Sequence, residues 1–253
     1  MTSFAVASIV LCGTFGAALL GMMLNTKLPV HQLNPDSREV VKLVMGLIAT
    51  ISALVLSLLI ASASTSYARQ SSKLTEISAN IIQLDQTLEA YGPSAKLARD
   101  QLREAARRAH DRIWSQQGVR PEHLNSLEMR NVSKDDVEQL YQLSPTNDTE
   151  RMIQNRAIML AENTTQARLL MFEQLDTPIS WPFLTVVIFW VCTLFIGFGL
   201  FSSPNATVTV ALFLGAVSVA CAIFLIMEMN APFTGIMRIS DVPLRRALAQ
   251  IDR

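Results

Sequence analysis

Few residues in this chain have types and spacings that could carry chemistry, and none of them form the constellation an enzyme needs. Ala49, Ala53, Ser57, Ala61 and Thr65 recur every four residues inside a long apolar run. Such a stripe lets a second helix approach closely, or it faces a path whose walls are uncharged. The spacing alone leaves both uses open. Arg99, Arg103 and Arg107 also recur at every fourth position, with Arg108 and Arg112 beside them. Like charges stacked on a helix repel by about 0.2–0.5 kcal/mol per pair, so something should compensate them. They read as a basic lining that draws anions into a vestibule, or as a solvated, salt-bridged face, since Asp100, Glu104 and Asp111 are interleaved.

Catalytic signatures are missing. None of the three histidines is paired with a nucleophile or a second ligand, and His31 reads as a solvated loop residue. The chain has no Gly-rich phosphate loop, H-E-x-x-H, C-x-x-C or nucleophile elbow. Cys12, Cys192 and Cys221 lie in apolar runs without metal or redox spacing and read as packing residues. No cofactor, no metal site and no enzymatic activity are expected. Lys+Arg and Asp+Glu are equal at 21 each, which gives no electrostatic case for nucleic acid.

The elements that must position these residues are membrane helices. Only 17% of the residues are charged, against about a quarter in soluble chains. Leu43–Ala63 is a run of 21 residues without a charge, enough to cross the roughly 30 Å hydrocarbon core as a helix. Beyond Tyr67 and Arg69 the apolar residues continue at helical spacing: Leu74, Ile77, Ile81, Leu84, Leu88 and Tyr91. Their 3-4-3-4-3 gaps are those of a packed seam, and the phase extends back through Tyr67, Ala63, Ile60, Leu56 and Ala53. One rod, Val40–Tyr91, is therefore predicted to leave the membrane and enter a helical domain, at roughly 1.5 Å per residue.

The remaining elements follow in order. Phe4–Leu24 is another uncharged run of 21 residues, with no basic n-region before it, and reads as a retained span. Gly13, Ala17 and Gly21 give it a small-residue face. Asp36 or Ser37 is a candidate cap for the rod, which should end at Gly92-Pro93. Ser94 is expected to cap a helix over 95–116, with Ala98, Leu102, Ala105, Ala109 and Ile113 inward. Short helices are expected over 121–131, with Ser133 capping a second over 133–143, then a turn at Ser144–Asn147. A long helix over 149–175 should bury Ile153, Ala157, Leu160, Thr164, Ala167 and Met171 and complete an antiparallel bundle. Thr177-Pro178 breaks the chain before a hairpin of spans, 181–201 and 206–227, turning at Ser202–Asn205.

The expected fold is thus an all-α membrane protein: four transmembrane helices, with a cytoplasmic helical bundle continuous with the second. Residues 1–63 hold the first two spans, 64–180 the helical domain, 181–228 the hairpin, and 229–253 a tail. Four spans place both termini and the domain on one side, which carries 18 of the 21 Lys and Arg. Arg69, Lys73, Arg238, Arg245 and Arg246 lie near span ends, so that side is expected to be cytoplasmic. Of four Asn-x-Ser/Thr matches, Asn131, Asn147 and Asn163 fall on that cytoplasmic side and Asn205 sits in a turn too tight against the bilayer, so none is expected to be glycosylated. No ionisable residue lies deep in a span, which argues against pumps and proton-coupled transporters.

Two stretches carry a family signal. Leu54–Arg69 ends in Ser66-Tyr67-Ala68-Arg69, and the fourth span closes on Glu228-Met229-Asn230-Ala231-Pro232-Phe233-Thr234-Gly235. They resemble the S-Y-x-R exit and the E-x-P-F-x-G stretch of bestrophin ion channels. With Gly92-Pro93-Ser94-Ala95 after the rod, the whole chain resembles the bacterial bestrophin-like membrane proteins. The resemblance implies a homo-oligomer, a pentamer with one central pore for small ions, four spans per subunit and cytoplasmic termini in the cytoplasmic (inner) membrane. It puts Ala53, Ser57 and Ala61 at the constriction, where bestrophins carry bulky apolar residues. It makes Tyr67, Arg69, Glu228, Pro232 and Phe233 junction residues, with helix-end anchoring at the interface as the alternative role. The acidic calcium cluster of animal bestrophins has only Asp241 here, and Gln70-Ser71 replaces an aromatic pair. The leading expectation is an oligomeric ion channel in the lipid bilayer. The alternative is a non-conducting scaffold or signalling protein whose helical domain docks a partner. A membrane enzyme is the third and weakest reading.

Overall fold

The computed structural model describes residues 2–27, 35–114, 139–175, 181–202, 204–233 and 235–252, with only the backbone for 35–38 and 172–175. The described residues form helices and no strand. In chain order these are α1 (Ser3–Lys27), α2 (Pro35–Tyr91), α3 (Lys96–Trp114), α4 (Asp148–Leu175), α5 (Trp181–Phe201), α6 (Ala206–Met229) and α7 (Val242–Ile251). Four of them, α1, α2, α5 and α6, are long and apolar enough to cross a membrane. The protein is an integral membrane protein. The chain divides into two compact units, Met1–Ser66 with Pro178–Asn230, and Tyr67–Thr177 with Ala231–Arg253.

In the first unit, α1 packs against α5 and α6. Two glycines allow this. A Cβ on Gly21 would collide with the Ile196 carbonyl, and one on Gly199 would collide with the Ala18 carbonyl and stand 2.8 Å from the Met22 nitrogen. The backbones therefore touch across Ala18/Gly21 and Ile196/Gly199, where dispersion between close-packed helices replaces the hydrophobic effect that lipid does not provide. Gly13, expected on the same face as Ala17 and Gly21, has no neighbour within 4 Å of a Cβ and is exposed. Below this contact Val187, Val191, Phe195 and Ala216 form the core with Ala17 and Ala18. The Asn25 side-chain amide donates to the Ser202 carbonyl at 2.9 Å, tying the ends of α1 and α5. Asn205 then caps α6, accepting from the Val208 N–H at 2.8 Å.

In the second unit the expected seam is buried throughout. Leu74, Ile77, Ile81, Leu84, Leu88 and Tyr91 are all at most 8% exposed. The opposing stripe of α4 is buried at Ala157, Leu160, Thr164, Ala167 and Met171. Gly92 ends α2 with φ 101°, a left-handed conformation that β-carbon residues avoid. Ser94 falls inside a 3-10 turn, Pro93–Ala95, instead of capping α3. Asn147 and Glu150 start α4 as a reciprocal box: Asn147 Oδ1 accepts from the Glu150 N–H at 2.8 Å, and the Thr146 N–H donates to Glu150 at 2.7 Å. That backbone donor, with the Thr146 hydroxyl, holds the Glu150 carboxyl below its ordinary range.

The C-terminal residues differ from the expected tail. They fold into α7, whose Leu244, Ala247 and Ile251 are buried, and Leu244 and Ile251 join the core of Leu74, Ile77 and Ile81. Spacing of 3 and 4 among these residues is amphipathic, but α7 has only ten residues, with Pro243 in its first turn, too short a pattern to read. α2 begins at Pro35, so Asp36 and Ser37 lie inside the helix instead of capping it. The expected helix over 121–131, the start of the one from Ser133, the His31 loop and the Thr177-Pro178 break lie outside the described residues.

The α1–α5 contact yields a direct test. Gly21→Leu and Gly199→Leu should each force the helices apart and lower the melting temperature of the detergent-purified protein by several degrees. Gly16→Leu, where a Cβ meets nothing within 4 Å, should leave it unchanged. Equal tolerance at all three positions would show that the close approach is not needed.

Candidate functional site

The membrane part of α2 carries the candidate site, and its surfaces divide by size. Met45, Ser52 and Ala63 are buried, and Val55, Leu56 and Leu59 pack against the core of the first unit. At 100° per residue these positions share one face. Ala53 does not belong to that face, as the seam phase implied. It is exposed, while its neighbour Ser52 is 5% exposed. The tracing fails by one residue because the 3-4 pattern meets a run of apolar residues in every direction here.

Roughly 130° around the helix lies a strip of small side chains: Gly46, Thr50, Ala53, Ser57, Ala61 and Ser64, all exposed. Its rise is about 27 Å, close to the roughly 30 Å of bilayer hydrocarbon. The strip differs from the one that every-fourth spacing suggested. Four residues advance 400°, so Ala49 and Thr65 drift to opposite sides, and Ala49 is half-buried. Gly46, Thr50 and Ser64 were missed because they complete a straight line only in 4-3-4-4-3 steps. Beside the strip stand Leu43, Leu47, Leu54 and Leu58, each 60–70% exposed.

The strip is polar without being charged. Thr50 donates to the Gly46 carbonyl at 2.9 Å and Ser57 to the Leu54 carbonyl at 2.8 Å. These hydroxyls are therefore satisfied within the helix and still turn oxygen lone pairs outward. Just past the strip Thr65 bonds the Ala61 carbonyl in the same way, at 2.8 Å.

The junction residues fall into different surroundings. Within the second unit, half-buried Tyr67 packs on the cluster that contains Phe233. Phe233 meets Trp114 edge-on with centroids 6.2 Å apart. The Pro232 carbonyl accepts from the Ile239 N–H at 2.7 Å, and the Ile239 carbonyl accepts from Trp114 Nε1 at 3.2 Å. Arg69 is exposed. Glu228 belongs to the first unit, is 2% exposed and lies at the end of α6.

The vestibule arginines are matched by acids. Arg99 makes a two-point contact with Asp85, at 2.9 and 2.8 Å, and reaches Glu89 at 3.6 Å. Arg103 lies 3.9 Å from Asp85 and 3.7 Å from Asp100, and Arg107 is 2.8 Å from Asp252. The Asp85 hydrogen bond is the main reason the Arg99 guanidinium is held above its ordinary range. Asp85 is 4% exposed and was missed, being one acid in a polar stretch of α2. Its signal was position, one step beyond the Ile81–Leu84 seam. The buried Tyr91 hydroxyl has no hydrogen-bond partner and is raised, first by burial and then by Glu150. An open groove of about 480 Å³ lies between α2 and α4, lined by Gln83, Gln86, Met152 and Arg156 among others. Among the described residues no cluster of His, Cys, Asp or Glu could hold a metal ion.

A family model for the bestrophin-like domain matches residues 12–244. The chain belongs to the bestrophin-like family. No match is found among curated proteins or among solved structures. The matched span covers all of α2, so in this bestrophin-like protein the strip and the Asp85–Arg99 pair both lie within the family domain.

The pair should matter for stability. Asp85→Asn takes the buried, two-point carboxylate from a partly buried guanidinium and should destabilise the helical unit by about 2–4 kcal/mol. Glu89→Gln, at the exposed end of the same arginine, should cost less than about 1 kcal/mol. Denaturation of the purified protein would compare them, and similar losses would refute the ranking.

Proposed function

We propose that this bestrophin-like protein is a subunit of an oligomeric ion channel whose central pore is lined by the membrane part of α2. One observation carries the reading. α2 presents a strip of Gly, Ala, Ser and Thr over the depth of a bilayer, and the described helices of its own chain leave it uncovered. Only 6% of its most apolar window is buried, against 28–33% in the other three spans. With Ala53, Ser57 and Ala61 turned to an axis, the neighbouring leucines would face adjacent copies or lipid.

Such a wall strips no charge from an ion by pairing. Passage rests on pore width and on hydroxyl oxygens that can replace part of a hydration shell. Small residues at the neck would make it wider than a constriction of bulky apolar side chains. Arg99, Arg103 and Arg107 would line a vestibule, where their carboxylate partners would cut the field they project. Copy number five and the cytoplasmic placement of the helical domain follow from the resemblance and the Lys/Arg distribution. Tyr67, Arg69, Pro232, Phe233 and Glu228 would hold the exit of the spans in place.

Reconstitution into liposomes tests this. The wild type should assemble into a ring of defined mass and pass ions. Ser57→Trp should abolish flux at unchanged oligomeric mass, whereas Ser52→Trp, aimed into the subunit core, should lose the assembly itself. An assembly silent to every ion, or one unaffected by Ser57→Trp, would remove the pore from this helix. A silent monomer would favour the scaffold, whose helical domain docks a partner.

A further inference from the structure

In the second unit, the chain after the fourth span returns to α3 through a set of polar contacts around an apolar core. Arg107 pairs with Asp252 at 2.8 Å, and Trp114 Nε1 bonds the Ile239 carbonyl. Between them stands His110, which the channel reading does not use. Its ring is stacked on Trp114, with centroids 5.5 Å apart and planes 24° from parallel. The stacking fixes where its two nitrogens point. Nδ1 lies 3.1 Å from Asp111 Oδ1, and Nε2 lies 3.5 Å from Asp241 Oδ2. Nε2 is shut off from solvent and has no hydrogen-bond partner.

Asp241 is also out of its usual role. It occupies the N-cap of α7, where an aspartate ordinarily bonds the first-turn amides, yet its side chain makes no cap bond. It faces Arg245 at 2.8 Å on one side and His110 on the other. Arg107, one turn before His110, is held by Asp252. α2 and α4 meet this cluster with the apolar Leu74, Ile77, Ala167 and Met171, and α2 also with the half-buried phenol Tyr67.

We propose that His110 is a proton-operated latch that fastens residues 231–252 to α3. A neutral imidazole has one N–H and one lone pair. Whichever tautomer forms, one nitrogen turns a lone pair toward a carboxylate oxygen. The imidazolium donates on both sides, to Asp111 on its own helix and to Asp241 on the returning segment. Histidine is the side chain whose ordinary charge change falls between about pH 5 and 8. The latch is therefore closed in acid and loosened in base. The latched segment begins at Ala231, directly after Asn230 ends the first unit, so the device acts on the chain that leaves the fourth span.

Hydrogen exchange of the full-length purified protein tests the latch without reference to conduction. After correction for the intrinsic rate, peptides from 235–252 should be about three- to fivefold better protected at pH 5.5 than at pH 8. Peptides from α4 should not change. His110→Gln, which keeps a hydrogen-bonding group but cannot charge, should remove the difference. Asp241→Asn, which keeps the imidazole, should remove most of it. A wild type with equal protection at both pH values overturns the proposal. So does retention of the full step in either variant, and the second substitution decides should the first fail to fold.

Discussion

A helix that crosses lipid must satisfy its own backbone, because nothing around it will. That constraint shapes α2 and, through it, both units of the chain. From Leu47 to Tyr91 the helix contains neither glycine nor proline, so nothing interrupts its hydrogen-bond ladder. Only side chains change along it. In the membrane part, small residues form one exposed strip and large leucines stand beside it. In the second unit, one face is apolar seam and the remainder is Gln, Ser, Thr and charge. The backbone geometry is the same in both solvents, and the sequence supplies two different surfaces to it.

The second unit solves a problem of charge. Five arginines crowd α3, and a helix of nineteen residues cannot separate them. The fold disperses them by bringing in acids from elsewhere in the chain. Asp85 from α2 takes Arg99 and stands near Arg103, while Asp252 from the C-terminus takes Arg107. Each partner also places an element. Asp85 sets the register of α2 against α3, and Asp252 fixes the far end of α7. Compensation of charge and positioning of helices are thus one set of contacts. A basic row that reads in the sequence either as an anion lining or as a salt-bridged face has acidic partners at Arg99, Arg103 and Arg107 in the fold.

Much of this was legible because its signals are strong and local. An uncharged run of twenty residues has few readings: α1, α5 and α6 end within a few residues of the runs that predicted them, and the second run lies inside the longer α2. The seam from Leu74 to Tyr91 was legible for a second reason: polar residues separate its members, so the period is visible. Inside the membrane the same method misplaced Ala53, since every direction is apolar and the period is hidden. The ten-residue α7 was too short to show a period. Asp85 and Asp252 look like surface acids until the arginines that neutralise them are in place, 14 and 145 residues away. Contacts of that kind are properties of the fold, and no window along the chain contains them.

The strip on α2 bears on the assembly proposed for this protein. Exposed leucines in a membrane helix need no partner, since lipid tails are as apolar as they are. Exposure of Leu43, Leu47, Leu54 and Leu58 is therefore uninformative by itself. Thinning a face is different. A helix against lipid gains dispersion contacts from bulk, and Gly, Ala and Ser in its place give them up along about 27 Å. Small residues are useful where room is needed, for a second backbone or for water and an ion. Within the subunit, room of the first kind is used at Gly21 and Gly199, where backbones touch. On α2 no described helix of the chain comes to the strip. In the proposed channel the closing partner would be another copy, or the space would stay open along an axis that copies share. The satisfied hydroxyls of Thr50 and Ser57 suit the second outcome, because they add polarity to the wall without leaving an unpaired donor in lipid.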